Sequence, residues 1–191
     1  MGTTLTDEHA ASLIQELRKL SVETEWAEFK ENMADPNEIG EYISALSNSA
    51  ALAGKTKAYL VWGIQDGTHD VVGTSFSPST SKKGNEELEN WLLRSLTPKI
   101  QFEFKELTVE GESVVLLVIE RAFRHPVQFK GQEFIRVGSY KKKLKDHPQK
   151  ERALWRVFDQ TPFEARLAAE RVEEDRILKL LDYPSYFDLM D

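Results

Sequence analysis

The residues best suited to chemistry form two groups of opposite charge. The acidic group is Glu23 and Glu28, which bracket a short run of alternating character, and Asp66, which ends a second, apolar run. Carboxylates that converge in space can hold a divalent ion such as Mg²⁺ or Mn²⁺, which activates water and neutralises a phosphate during hydrolysis. Glu23 and Glu28 are five positions apart. That odd spacing sends them to opposite faces of a straight strand, so convergence requires a bend or bulge between them. Among 32 acidic residues, three scattered carboxylates read first as surface groups.

The basic group is more concentrated. Residues 121–156 hold eleven Lys and Arg against three acids, a net +8, which leaves −15 on the rest of a chain whose total is −7. Arg136, Ser139, Tyr140, Lys141, Lys142, Lys143 and Lys145, with the backbone N–H groups near Gly138, are the side chains and donors a phosphate backbone needs. A solvated lysine loop, or a surface that meets an acidic protein, would have the same composition. The four histidines, at 9, 69, 125 and 147, have no spacing that builds a zinc site on one element. There is neither a Walker loop nor a GxSxG elbow.

Composition bounds the rest. A chain of 191 residues, 40% hydrophobic and 30% charged, fits one domain with an appendage. The acidic total excludes a uniformly basic coat. No run approaches the roughly 20 apolar residues of a membrane helix, so no membrane role is expected. Without cysteine there is no disulfide framework or thiolate site, and a reducing cytoplasm is the expected setting. The N-terminus lacks the basic and apolar regions of a signal peptide.

These groups need elements to position them. Residues 6–20 predict an amphipathic helix capped by Thr6. Residues 24–30 predict a strand with Ala27 and Phe29 on one side and Trp26, Glu28 and Lys30 on the other. Asp35-Pro36-Asn37-Glu38 resembles a capping box and opens a helix that closes at Gly54. Ala58–Ile64 reads as a central strand covered on both faces. A loop over 74–84 precedes a helix from Asn85 that stops before Pro98. Ile100–Lys105 and Val114–Ile119 alternate around Glu110-Gly111 as a β-hairpin. Residues 134–137 form a last strand, 148–158 a helix, and 163–182 a charge-rich helix. Trp62 and Phe102 are expected in the core. The order is α+β, a compact mixed sheet with flanking helices.

Taken together, four blocks resemble a known family. They are Glu23-Thr24 with Glu28-Phe29-Lys30; Ala45–Ala50 (Ala-Leu-Ser-Asn-Ser-Ala); Leu60–Gly67 closed by Val71-Val72-Gly73; and Phe134–Ser139. In order and spacing they resemble the Schlafen/AlbA-like DNA-binding domain over about residues 20–158. The resemblance implies a compact α+β domain that binds DNA or RNA, often at the N-terminus of a longer bacterial transcriptional regulator. Some Schlafen relatives cleave transfer or ribosomal RNA with a three-carboxylate metal site. By that resemblance Glu23, Glu28 and Asp66 match the metal-binding and catalytic acids, with Lys30 near the scissile phosphate and Mg²⁺ or Mn²⁺ as cofactor. A longer connection, Ala51–Lys57, stands where many members have a glycine pair. The expected organisation is an N-terminal helix over 1–20, the family domain over 21–158, and a helical extension over 159–191 that leads toward a downstream part. Nucleic-acid binding is the first expectation, metal-dependent endoribonuclease the second and protein interaction the third, with a homo-oligomer left open.

Overall fold

The computed structural model describes residues 6–20 and 24–159. Glu23 and the helix expected over 163–182 lie outside the described residues. The chain folds as α+β. In chain order the elements are α1 (Asp7–Arg18), β1 (Ala27–Lys30), α2 (Pro36–Leu52), β2 (Lys57–Trp62), β3 (Lys82–Lys83), β4 (Glu86–Glu87) and α3 (Leu88–Ser95). They continue with β5 (Leu96–Thr97), β6 (Phe102–Val109), β7 (Glu112–Glu120), β8 (Gln128–Phe129), β9 (Gln132–Val137), β10 (Tyr140–Lys143), a 3₁₀ turn (Leu144–Asp146) and α4 (Pro148–Asp159).

Two four-stranded sheets hold the described residues. The first runs β1-β2-β7-β6, with β1 parallel to β2 and the remaining pairs antiparallel; the second runs β10-β9-β8-β5. The hairpin expected from the period-two pattern is β6–β7. It is registered from Phe102↔Ile119 to Val109↔Glu112 and turns at Glu110-Gly111, where both residues take positive φ. The period of two puts alternate side chains on opposite faces, and the first sheet uses both. Leu60, Trp62, Leu117 and Ile119 join α2 in the larger core, while Phe29, Val61, Leu116 and Val114 join Ile14 and Leu17 of α1 in the smaller one. This is why Ala58–Ile64 reads as apolar without interruption.

Helix α2 is the hub. Its Asp35 side chain caps the Asn37 N–H at 3.0 Å with Pro36 following, and the helix is buried almost all round because it packs against β2 on one side and β9 on the other. Gly40 is required there, since an added Cβ would lie 2.1 Å from the Phe129 ring. Trp62 is fully buried and donates its indole N–H to the Met33 carbonyl at 2.6 Å. Phe102 is half-buried and packs on the same core from the edge strand β6.

Two expectations change. The helix expected from Asn85 begins at Leu88, because Lys82–Glu87 folds into the two-stranded β3–β4 turn with Gly84 at φ 64°. The lysine run 140–143 is a strand: β10 pairs with β9 from Tyr140↔Val137 to Lys143↔Phe134.

Candidate nucleic-acid interface

The interface is assembled on the β9–β10 hairpin, which α2 holds in place through polar side chains on its β9-facing side. Asn48 donates from Nδ2 to the carbonyls of Val127 (3.0 Å) and Phe134 (2.9 Å) and accepts the Val127 N–H at 2.7 Å. Ser44 donates to the Val127 carbonyl and accepts from Phe134 N–H, and Ser49 accepts from Arg136 N–H at 2.9 Å. Ser and Asn compete with helix hydrogen bonding in isolation. Here they serve as partners for strand backbone that would otherwise be buried unsatisfied.

Below the hairpin lies a buried cluster centred on Glu28. Its Oε1 accepts from Lys30 Nζ at 2.6 Å and from the Tyr42 hydroxyl at 3.2 Å, and its Oε2 pairs with the Arg136 guanidinium. Arg136 is 2% exposed, and its Nε and Nη1 have no hydrogen-bond partner among the described residues. The Tyr42 ring faces three cations, with Lys141 Nζ at 4.5 Å, Lys30 Nζ at 5.3 Å and the Arg136 guanidinium at 5.8 Å from its centroid. Burial opposes the Lys30 charge, but the Glu28 carboxylate, assisted by Tyr42, outweighs it and holds the ammonium above its ordinary range. Burial, and then the Glu28 charge, raises the Tyr42 phenol.

Several groups expected at a phosphate-facing surface turn inward. Arg136 sits on β9, between Ile135 and Val137, with its side chain committed to Glu28. Lys141 is 2.6 Å from Glu41 Oε2. The Gly138 N–H donates to Glu25 at 3.0 Å, and Lys150 binds the same carboxylate at 2.7 Å. The acidic N-terminal half thus neutralises part of the basic block internally. Ser139, Tyr140, Lys142, Lys143 and Lys145 remain exposed. Tyr140 is 68% exposed with Lys142 Nζ 5.4 Å from its ring. Among the described residues no carboxylate is within ion-pair range of Lys142, Lys143 or Lys145.

Two of the expected acids line a common cleft. Glu28 and Asp66 line one cleft with His69, Arg136 and Ser139, where about 30 Å³ is open to a water-sized sphere. That is room for a water or a single ion. Asp66 is placed there by the 65–70 turn, which Arg18 and His69 tie to α1: Arg18 Nε donates to the His69 carbonyl at 2.7 Å, and His69 Nδ1 lies 2.8 Å from the Arg18 carbonyl. Lys30 points at Glu28. A cation at Glu28 would compete with Lys30 and Arg136, and the described residues contain no cluster of three or more His, Asp or Glu able to hold a metal. The described donor set does not fit a divalent ion, and Glu23 lies outside it.

Two members of the cluster, Tyr42 and Glu41, are not singled out by the sequence. Spacing alone places Tyr42 in the apolar stripe of α2. The signal that α2 faces a polar partner is the run Ser44, Ser47, Asn48, Ser49 within an otherwise apolar helix.

The chain belongs to the Schlafen AlbA_2 family, which matches residues 23–145, and that membership associates it with nucleic acid. Two solved structures are similar to it. One is the DIP2311 protein from Corynebacterium diphtheriae, at 16% identity and a TM-score of 0.42, where the match covers 70% of this chain and 25% of that one. The other is the N-terminal domain of a RecG-related protein from Nitrosomonas europaea, at 20% identity and a TM-score of 0.39, with 59% and 73% covered. The chain thus spans a quarter of the DIP2311 protein. A search of curated proteins finds no match.

Proposed function

We propose that this chain is a nucleic-acid-binding module that grips the phosphate backbone through the exposed part of the β9–β10 hairpin, within a longer regulator of transcription. The observation that carries the reading is the contrast along one strand. Lys141 is committed to Glu41, while Lys142, Lys143 and the nearby Lys145 are exposed with no described carboxylate beside them. Lysines left unpaired in an acidic chain are available to displace the counterions of a nucleic acid. Ser139 adds a hydroxyl and Tyr140 an exposed ring at the same turn.

The test is fluorescence anisotropy with labelled duplex DNA and transfer RNA over a range of salt, with Mg²⁺ or Mn²⁺ and with chelator. Replacing Lys142, Lys143 and Lys145 with Ala should weaken binding regardless of sequence and flatten the salt slope by roughly 0.7–0.9 per lost phosphate contact. Unchanged affinity and slope in a folded variant overturn the reading. Metal-dependent cleavage lost in Glu28→Gln would favour the endoribonuclease alternative, and binding of neither nucleic acid would favour a protein partner.

A further inference from the structure

A second surface, on different elements, is built from aromatic rings and unpaired cations. The segment 121–125 turns at Arg124, which takes a φ of 64° and has its guanidinium 5.1 Å from the Phe123 ring centroid. The next residue, His125, meets Trp155 of α4 edge-on, at 5.9 Å and 78°. Phe123 is 46% and Trp155 38% exposed, two of the four large hydrophobic side chains exposed among the described residues. Arg121, Arg124, Arg152 and Arg156 are all exposed, and Arg152 lies one helical turn from Trp155. Among the described residues none of the four has a carboxylate in ion-pair range.

Exposed aromatic surface is ordinarily covered or scattered, and exposed arginines in a chain of net −7 have many acids to pair with. Among the described residues the four arginines have no ion-pair partner, and the two rings, partly packed, keep 46% and 38% of their surface exposed. The rings around Trp155 meet it edge-on, Phe158 at 87° and His125 at 78°, so no described ring stacks parallel on the indole. Planar faces beside guanidinium groups suit a polyanion whose bases are free to stack. A duplex keeps its bases inside and would use only the arginines.

From this we infer that the exposed rings of Phe123, in the 123–125 segment, and of Trp155, which His125 of that segment meets, bind single-stranded nucleic acid by base stacking, in addition to the phosphate grip of the hairpin. The surface extends the proposed nucleic-acid reading but draws on separate residues.

The experiment compares a labelled oligo-dT or oligo-U with a duplex of equal length, using the full chain. Phe123→Ala and Trp155→Leu should each lower single-strand affinity by roughly tenfold, the loss of about one base stack, and leave duplex affinity unchanged. Oligo-dT should quench tryptophan emission, and Trp155→Phe should remove that quench while keeping most of the affinity. Because Trp155 touches buried Phe158, melting temperature is measured for each variant; Phe123, further into solvent, is the control if Trp155→Leu unfolds. Equal losses on single strand and duplex, or none in folded variants, overturn the inference. If the hairpin lysine variant binds normally while the aromatic variants fail, the hairpin reading falls and this one stands; the converse pattern removes the aromatic surface and leaves the hairpin. A chain that binds neither nucleic acid defeats both.

Discussion

Glu28 and Arg136, 108 positions apart, close a buried ion pair that joins the first strand of one sheet to an interior strand of the other. Removing one member leaves a buried charge short of its partner. Arg136→Met should therefore cost about 3–5 kcal/mol in denaturant unfolding. Adding Glu28→Gln should recover part of that loss. Strict additivity of the two single effects would show that the pair is not coupled.

Gly40 of α2 has no room for a methyl group. An added Cβ would lie within 2.1–2.6 Å of three Phe129 ring atoms, and that ring is itself 3% exposed and held 5.7 Å from Trp91. Gly40→Ala should destabilise by about 1–3 kcal/mol through overpacking, despite its better helix propensity. A melting temperature at or above that of the parent would contradict this packing.

Asn48 satisfies three backbone groups at once. Asn48→Ala should strip the Val127 amide and the Phe134 carbonyl of partners and cost roughly 1–3 kcal/mol for each buried group left unsatisfied. Hydrogen exchange at the Val127 amide should accelerate more than at the ladder amides of β7. Uniform acceleration across both sites would point to global loosening instead.

Periodicity makes the long elements legible. Leu13, Ile14, Leu17 and Leu20 specify α1, and Ile100, Phe102 and Phe104 against Val114–Ile119 specify the hairpin β6–β7. The strand β10 is hidden because Lys141-Lys142-Lys143 offers no alternation of apolar and polar character; its conformation is imposed by β9, whose Phe134 and Ile135 are anchored in the core. The candidate site is legible in its members but not in their partners. Glu28, Asp66 and Ser139 do share a cleft, yet nothing in the local pattern of Arg136 or Lys141 reveals that each meets an acid from about a hundred residues earlier. Charge totals by segment cannot distinguish cations facing solvent from cations neutralised across the fold.

Alkaline pH probes the same cluster. Lys30 and Tyr42 both have folded-state values raised above their ordinary 10.5 and 10.0, so the native state holds these protons more tightly than the unfolded chain. Their contribution is complete below about pH 10 and is lost as pH rises through the raised folded values. Stability should decline above about pH 10, and Tyr42→Phe should make that decline shallower. Thermal melts across roughly pH 9–11.5 measure it. An equally steep decline in the variant would remove Tyr42 as a contributor.

The separation of Glu28 from Arg136 also sets a timetable for synthesis. At roughly 5–20 residues per second, about 5–20 s pass on the ribosome between the two residues. During that interval β1, α2, β2, β6 and β7 are all made, and Glu28 has Lys30 and Tyr42 beside it before Arg136 exists. The first sheet is therefore free to pair before β9 emerges, and the arrival of Arg136 adds the buried contact that fastens the second sheet to it.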